Sequence, residues 1–168
     1  MRFGRFVATA ALLAPIPFAG MTEPASAAVQ HIIVVQGKIG ARDGVDVWGG
    51  SSVRNESPIR ETFALTHNDR SWRKTFKVCA GDEARAVLSV RAFLRDDEQV
   101  SVRPNVWLYE GHDCESSDLD ANVWPQSQAM PGGRGSRSWE IWLPSDEDLG
   151  AWGDAAFATV TFTHALFP

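Results

Sequence analysis

The stretch ARAVLSVRAFLRDDEQVSVRPNVWLY, residues 84–109, decides the fold. Ala86, Leu88, Val90, Ala92 and Leu94 occupy alternate positions, and after the polar RDDEQ the pattern resumes at Val100, Val102, Val106 and Leu108. A period of two sends successive side chains to opposite faces of an extended chain, so these apolar residues share one face. Two such runs joined by a short polar segment make an antiparallel hairpin. With the turn on RDDEQ, Val87 stands opposite Trp107, Arg85 opposite Tyr109 and Phe93 opposite Ser101, all on the outward face.

The same alternation, without a convincing helical stripe in any window, predicts further strands over residues 31–42, 60–68, 71–79, 137–143 and 155–166, and a weaker one over 122–130. Glycine and proline punctuate the joins at GVDVWGGSS, CAGDE, PGGRGS and LPSDEDLGAWGD. About eight short strands joined by turns predict an all-β chain, a single antiparallel β-sandwich, with a small β-barrel as the alternative. Trp72 and Trp139 fit the inward alternation and are expected in the core.

Of the 168 residues, the first 28 read as a signal peptide. Arg2 and Arg5 precede an apolar run from Phe6 to Phe18, and the small residues of ASAA suit cleavage after Ala27 or Ala28. The run is shorter than the roughly 20 apolar residues that span a bilayer. Residues 29–168 are the size of one domain, and secretion to the extracellular space is expected. Of 16 basic and 21 acidic residues, removing Arg2, Arg5 and Glu23 leaves 14 and 20, a net charge of −6. That balance argues against nucleic acid and anionic membrane as partners, both of which require a basic surface, and leaves a glycan or an extracellular protein.

Exported chains lose contact with the reducing pool, so the two cysteines, Cys79 and Cys114, are expected to form one disulfide. Closing that loop stabilises the fold by roughly 4 kcal/mol in the chain-entropy picture.

If consecutive strands alternate in direction, every second loop lies at the same end. One end then receives both cysteines and 14 of the 20 acids beyond residue 28, while Arg70, Arg95, Arg134 and Arg137 fall at the other. The acids are densest in EGHDCESSDLD, residues 110–120. Asp113, Glu115, Asp118 and Asp120, with Asp43, Asp46 and Asp148 from neighbouring loops, are candidate Ca²⁺ ligands, because that ion takes 6–8 oxygens. The competing reading is a solvated loop anchored by the disulfide, and the spacing matches no EF-hand. No other cofactor is expected.

Catalysis finds little support. GxSxG and HExxH are absent, and a hydrolase using loop carboxylates would need two acids across a cleft. His31, His67 and His164 lie on separate predicted strands and are expected to be structural or exposed. The chain is therefore expected to be a binding module rather than an enzyme, with an inhibitor or effector acting through loops 43–57 or 144–154 as an alternative. Trp107, Tyr109 and Trp142, all on outward faces, are the candidate ligand-binding residues, since large rigid rings give contact area at low entropic cost.

The segments CAGDE, LYEGHDC, DLD and the final alternating threonine strand resemble small, uncharacterised secreted β-rich proteins of actinomycetes. The resemblance runs over roughly residues 71–163 and is weakest at LPSDEDLGAWGD. It implies export and a paired Cys79 and Cys114, and carries no activity.

Overall fold

A computed structural model describes residues 30–44, 52–81, 83–111, 113–130, 134–145 and 153–167. The segment expected to be a signal peptide, residues 1–28, lies outside the described residues, as do Asp46, His112 and Asp148.

The chain is all-β: β1 (Gln30–Asp43), β2 (Val53–Leu65), β3 (Ser71–Ala80), β4 (Ala84–Leu94), β5 (Val100–Glu110), β6 (Asp118–Val123), β7 (Gln128–Met130), β8 (Arg134–Pro144) and β9 (Ala155–Phe167). Sheet A has the order β2-β1-β9-β8, and sheet B the order β3-β4-β5-β6 with β7 also on β5. All pairings are antiparallel, and the two sheets face each other without closing into a barrel. The β-sandwich expectation holds.

The β4–β5 register is the one the alternation dictates: Val87 pairs with Trp107, Arg85 with Tyr109 and Phe93 with Ser101. The inward face of this hairpin, Ala86, Leu88, Val90, Ala92, Leu94, Val100, Val102, Val106 and Leu108, is buried throughout. It meets Ile33, Val35, Ile39, Ala158, Val160 and Phe162 from sheet A, with Trp72 and Trp139 packed at the margin. Burying a side chain such as Leu88 or Phe162 stabilises the fold by about 1.5–3 kcal/mol.

Besides shifts of up to three residues at other strand ends, two departures from expectation lie at prolines. β2 starts at Val53 rather than residue 60, because Pro58, which reads as a breaker, pairs with Lys38 on a strand whose other side is free. Edge strands tolerate a residue that lacks an N–H. The strand expected over 122–130 is broken at Trp124–Ser127 into β6 and β7, which contact β5 at Val106–Glu110 and Val100–Val102. Opposite the break lies Arg103–Asn105, centred on Pro104, the β5 residue without an N–H.

Because β6 and β7 run the same way, the extra strand leaves the alternation of ends intact. The Arg42 guanidinium donates to the Gly153 carbonyl (Nε, 3.0 Å), the Gly44 amide donates to Asp154 Oδ1 (2.6 Å), and Asn55 Nδ2 donates to the Cys79 carbonyl (2.9 Å). The hairpin ends of β1–β2, β3–β4 and β8–β9 thus share one pole with the 111–117 loop, which the disulfide ties to β3.

Candidate functional site

At the acidic pole, Cys79 on β3 and Cys114 in the β5–β6 loop form a disulfide with Cα atoms 5.9 Å apart. Arg85 closes the arrangement by donating to the Cys114 carbonyl (2.8 Å). Local hydrogen bonds order the loop. Asp113 Oδ1 accepts from the Glu115 amide (2.9 Å), and Ser116 Oγ, which accepts from the Asp118 amide (3.3 Å), donates to the Glu110 carbonyl (2.8 Å). Asp113, Glu115 and Asp118 are exposed, and Asp43 and Asp120 are half-buried. Among the described residues no group of three or more His, Cys, Asp or Glu side chains is placed to hold a metal ion.

At the opposite pole two of the four arginines meet acids of the β4–β5 turn. Arg70 pairs with Asp96 (2.7 Å) and Arg95 with Asp97 (3.2 Å), so the turn acids neutralise them.

The three candidate aromatics do not form one surface. Trp142 lies on the outward face of sheet A, 52% exposed and stacked on Phe157 with ring centroids 5.9 Å apart. Phe157 sits flat on β1 because its neighbour there is Gly40, where any Cβ would enter the phenyl ring. Arg42 covers the Trp142 ring (5.2 Å) and Arg54 covers Phe157 (4.2 Å). The polar groups here satisfy one another: Glu56 accepts from Lys38 (2.9 Å) and from Arg54 (2.6 Å). The Lys38 hydrogen bond holds the Glu56 carboxyl below the usual carboxylate range against a smaller upward push from desolvation, with Arg54 assisting.

Trp107 and Tyr109 lie on the far side of the molecule, on the outward face of sheet B, and both are half-buried. Arg85 lies over the Tyr109 ring (4.5 Å). Trp107 meets Trp124 edge to face at 5.5 Å, and Arg103 covers Trp124 (5.4 Å). Trp124 stands in the β6–β7 break, 50% exposed, its indole N–H donating to Asn122 Oδ1 (2.6 Å).

Part of this outward face is closed to solvent. Val87, Ser89 and Asn105 are buried although they point away from the core, and Asn105 is only 1% exposed. Neither atom of its amide has a hydrogen-bond partner, and the Nε atoms of Arg85 and Arg103 also have none. Leaving a buried amide unsatisfied costs about 1–3 kcal/mol. Asn105 is absent from the candidates read in the sequence because a polar residue at an outward position reads as solvent-facing, and Trp124 because it reads as part of a continuous strand.

No family model matches the chain, and no curated protein matches it. Among solved structures, it is similar to the type III secretion injectisome secretin InvG of Salmonella (residues 176 to the end, open gate state), at 8% identity and a TM-score of 0.22. That alignment covers 82% of this chain and 58% of the secretin chain.

Proposed function

We propose that the chain is a secreted, disulfide-bonded binding module, and that its recognition surface is the outward face of sheet B around Asn105, Trp107 and Trp124. The observation that carries this reading is the Asn105 amide, buried without a partner on the sheet face that carries the Trp107–Trp124 pair. Sheet A has an exposed tryptophan too, but its charged neighbours are already paired.

A free amide can donate and accept at once, and indole rings stack on flat apolar faces. A carbohydrate matches both: its hydroxyls do the same in reverse, and its axial C–H face lies on aromatic rings. Arg103 and Arg85 add unengaged N–H donors at the rim. The broken strand at Trp124–Ser127 gives Trp124 room to move aside without breaking a ladder of backbone bonds.

The test is titration of the oxidised protein with a panel of neutral oligosaccharides, read by tryptophan fluorescence and calorimetry. A saturable response lost in Trp124→Ala and in Asn105→Val is the expected result. Asn105→Val should also raise stability by about 1–3 kcal/mol, because it removes an unsatisfied polar group from a buried site. Binding that survives both substitutions would sink the assignment, and so would a saturable response to an extracellular protein with none to any sugar.

A further inference from the structure

Three of the four histidines meet at the pole opposite the disulfide. His31 is the second residue of β1, His67 lies in the turn after β2, and His164 precedes the end of β9. His31 Nδ1 is 3.1 Å from His164 Nε2, and His31 Nε2 is 3.0 Å from Glu98 Oε2. The other Glu98 oxygen is 3.1 Å from His67 Nε2. His31 and His164 are 1% and 2% exposed, their rings nearly parallel with centroids 5.1 Å apart, whereas His67 and Glu98 reach solvent.

The contact between the two buried rings needs one N–H and one lone pair. With His31 donating to the Glu98 carboxylate through Nε2, its Nδ1 accepts from His164 Nε2. A first proton can be accommodated, because the Glu98 carboxylate supplies the counter-charge and the pair still shares one hydrogen. A second puts N–H against N–H at 3.1 Å and two cations in surroundings that cannot hydrate them. Arg70 and Arg95 are engaged with Asp96 and Asp97, and Asp69 is exposed in its turn. On β8, Arg134 and Arg137 flank Gly135, the strand partner of His164, and bring only positive charge.

Backbone strain supports the same reading. Glu98 has φ of 61°, the left-handed region, and is the non-glycine residue found there among the described residues. A side chain other than glycine, asparagine or aspartate is held in that region at a cost of about 1–2 kcal/mol. Such outliers concentrate where a side chain has work beyond the turn itself. Here the work is bridging two histidines.

We infer that His31, His164 and Glu98 form a proton-operated latch between the two sheets, closed with none or one proton on the imidazole pair and opened by the second. His31 and His164 belong to sheet A and Glu98 to the β4–β5 turn of sheet B, so opening parts the layers at this pole. Histidine is the side chain that changes charge between about pH 5 and 8, which places the switch in mildly acidic surroundings. The sign follows from linkage: the unfolded chain takes both protons and the closed native form only one. Stability therefore falls as pH falls, by up to about tenfold in the unfolding equilibrium per pH unit for the excluded proton.

The experiment is a pH titration of the full oxidised protein from pH 8 to 4.5, following histidine side-chain NMR signals and amide hydrogen exchange together. One proton should be taken up by the His31–His164 pair without loss of protection. Arrival of the second should coincide with loss of protection over residues 31–35, 94–100 and 160–166, with the disulfide end unchanged. His164→Gln keeps a hydrogen-bonding partner that does not titrate, and should flatten the dependence of unfolding on pH between 7 and 5 by up to tenfold per unit. His67→Gln, at an exposed position, should leave that slope as it is. Equal slopes in wild type and His164→Gln would overturn the latch. If His164→Gln does not fold, the wild-type titration decides alone: two histidines charging independently, with exchange unaltered, would overturn it as surely.

Discussion

The turns at the two ends of β4 both need a left-handed residue and fill that position differently. The β3–β4 turn uses Gly81, with φ of 57°, whereas the β4–β5 turn uses Glu98, with φ of 61°. Glycine adopts that conformation freely, and an added Cβ at residue 81 would also strike the Asp43 carboxylate. At Glu98 the chain accepts strain in order to keep a carboxylate on two imidazoles. The poles differ in the same way as their turns. At the disulfide pole, acids such as Asp154 and Asp113 accept from backbone amides, and a covalent bond ties the loop down. At the histidine pole, side chains pair with side chains, Arg70 with Asp96, Arg95 with Asp97 and His31 with Glu98. One end is thus tied by a covalent bond and by acids on backbone amides, and the other by contacts between side chains.

Removal of the disulfide in the Cys79→Ala, Cys114→Ala double variant is the harshest test of this contrast. The expected loss is about 4 kcal/mol by the loop-closure estimate, equal at pH 7 and pH 5 in urea unfolding. A loss that depends strongly on pH would mean that the poles are coupled. Gly81→Ala comes next, with an expected cost of about 1–2 kcal/mol from the left-handed backbone, again at either pH. The matching change at the other end, Glu98→Gly, should alter stability at pH 7 by less than about 1 kcal/mol, because relief of strain offsets the loss of partly exposed ion pairs. Its signature should instead be a changed pH profile, measured by the same unfolding series. The smallest effect belongs to Glu56→Gln, on neither turn. The Glu56 carboxyl is held low by Lys38, so its contribution is present above the unfolded-state pKa and disappears as pH falls through the lower folded value. Thermal melts at pH 7 and pH 3 should show a smaller difference between the Gln variant and wild type at the lower pH, and the difference at pH 7 should shrink with salt.

Much of the sandwich is legible in the residues themselves. Alternation in 84–109 specifies both the buried face and the register, since a slip of one residue would turn Leu88 and Val106 to solvent. Alternating ends bring Cys79 and Cys114 together before any coordinate is known. Proline hid the rest. Pro58 disguised the first half of β2, and the β6–β7 break disguised Trp124 as part of a strand. The histidine cluster had a signal that went unread. His31 shares its parity with Ile33 and Val35, His164 shares its parity with Phe162, and both fall at the end that also receives His67. What alternation alone cannot supply is the diagonal approach of His31 to His164, because their strand partners are Leu166 and Ile33.

The order of strands in the sheets sets the order in which the chain can finish itself. Sheet B is assembled from one uninterrupted length, β3 to β7, and its pairings are almost all between sequence neighbours. Sheet A is gathered from both ends of the described chain, and β9 occupies an interior place in it, with β1 on one side and β8 on the other. Until β9 arrives, sheet A is no more than the β1–β2 hairpin, and two-stranded hairpins are marginal in water. A chain emerging from its amino end therefore carries a nearly complete sheet B whose apolar face has no opposing layer. Its second layer closes by the longest-range strand pairing among the described residues, Gln30 against Phe167. Late closure of this kind makes for slow folding and a prolonged window in which the chain can still be threaded, unfolded, through a narrow channel.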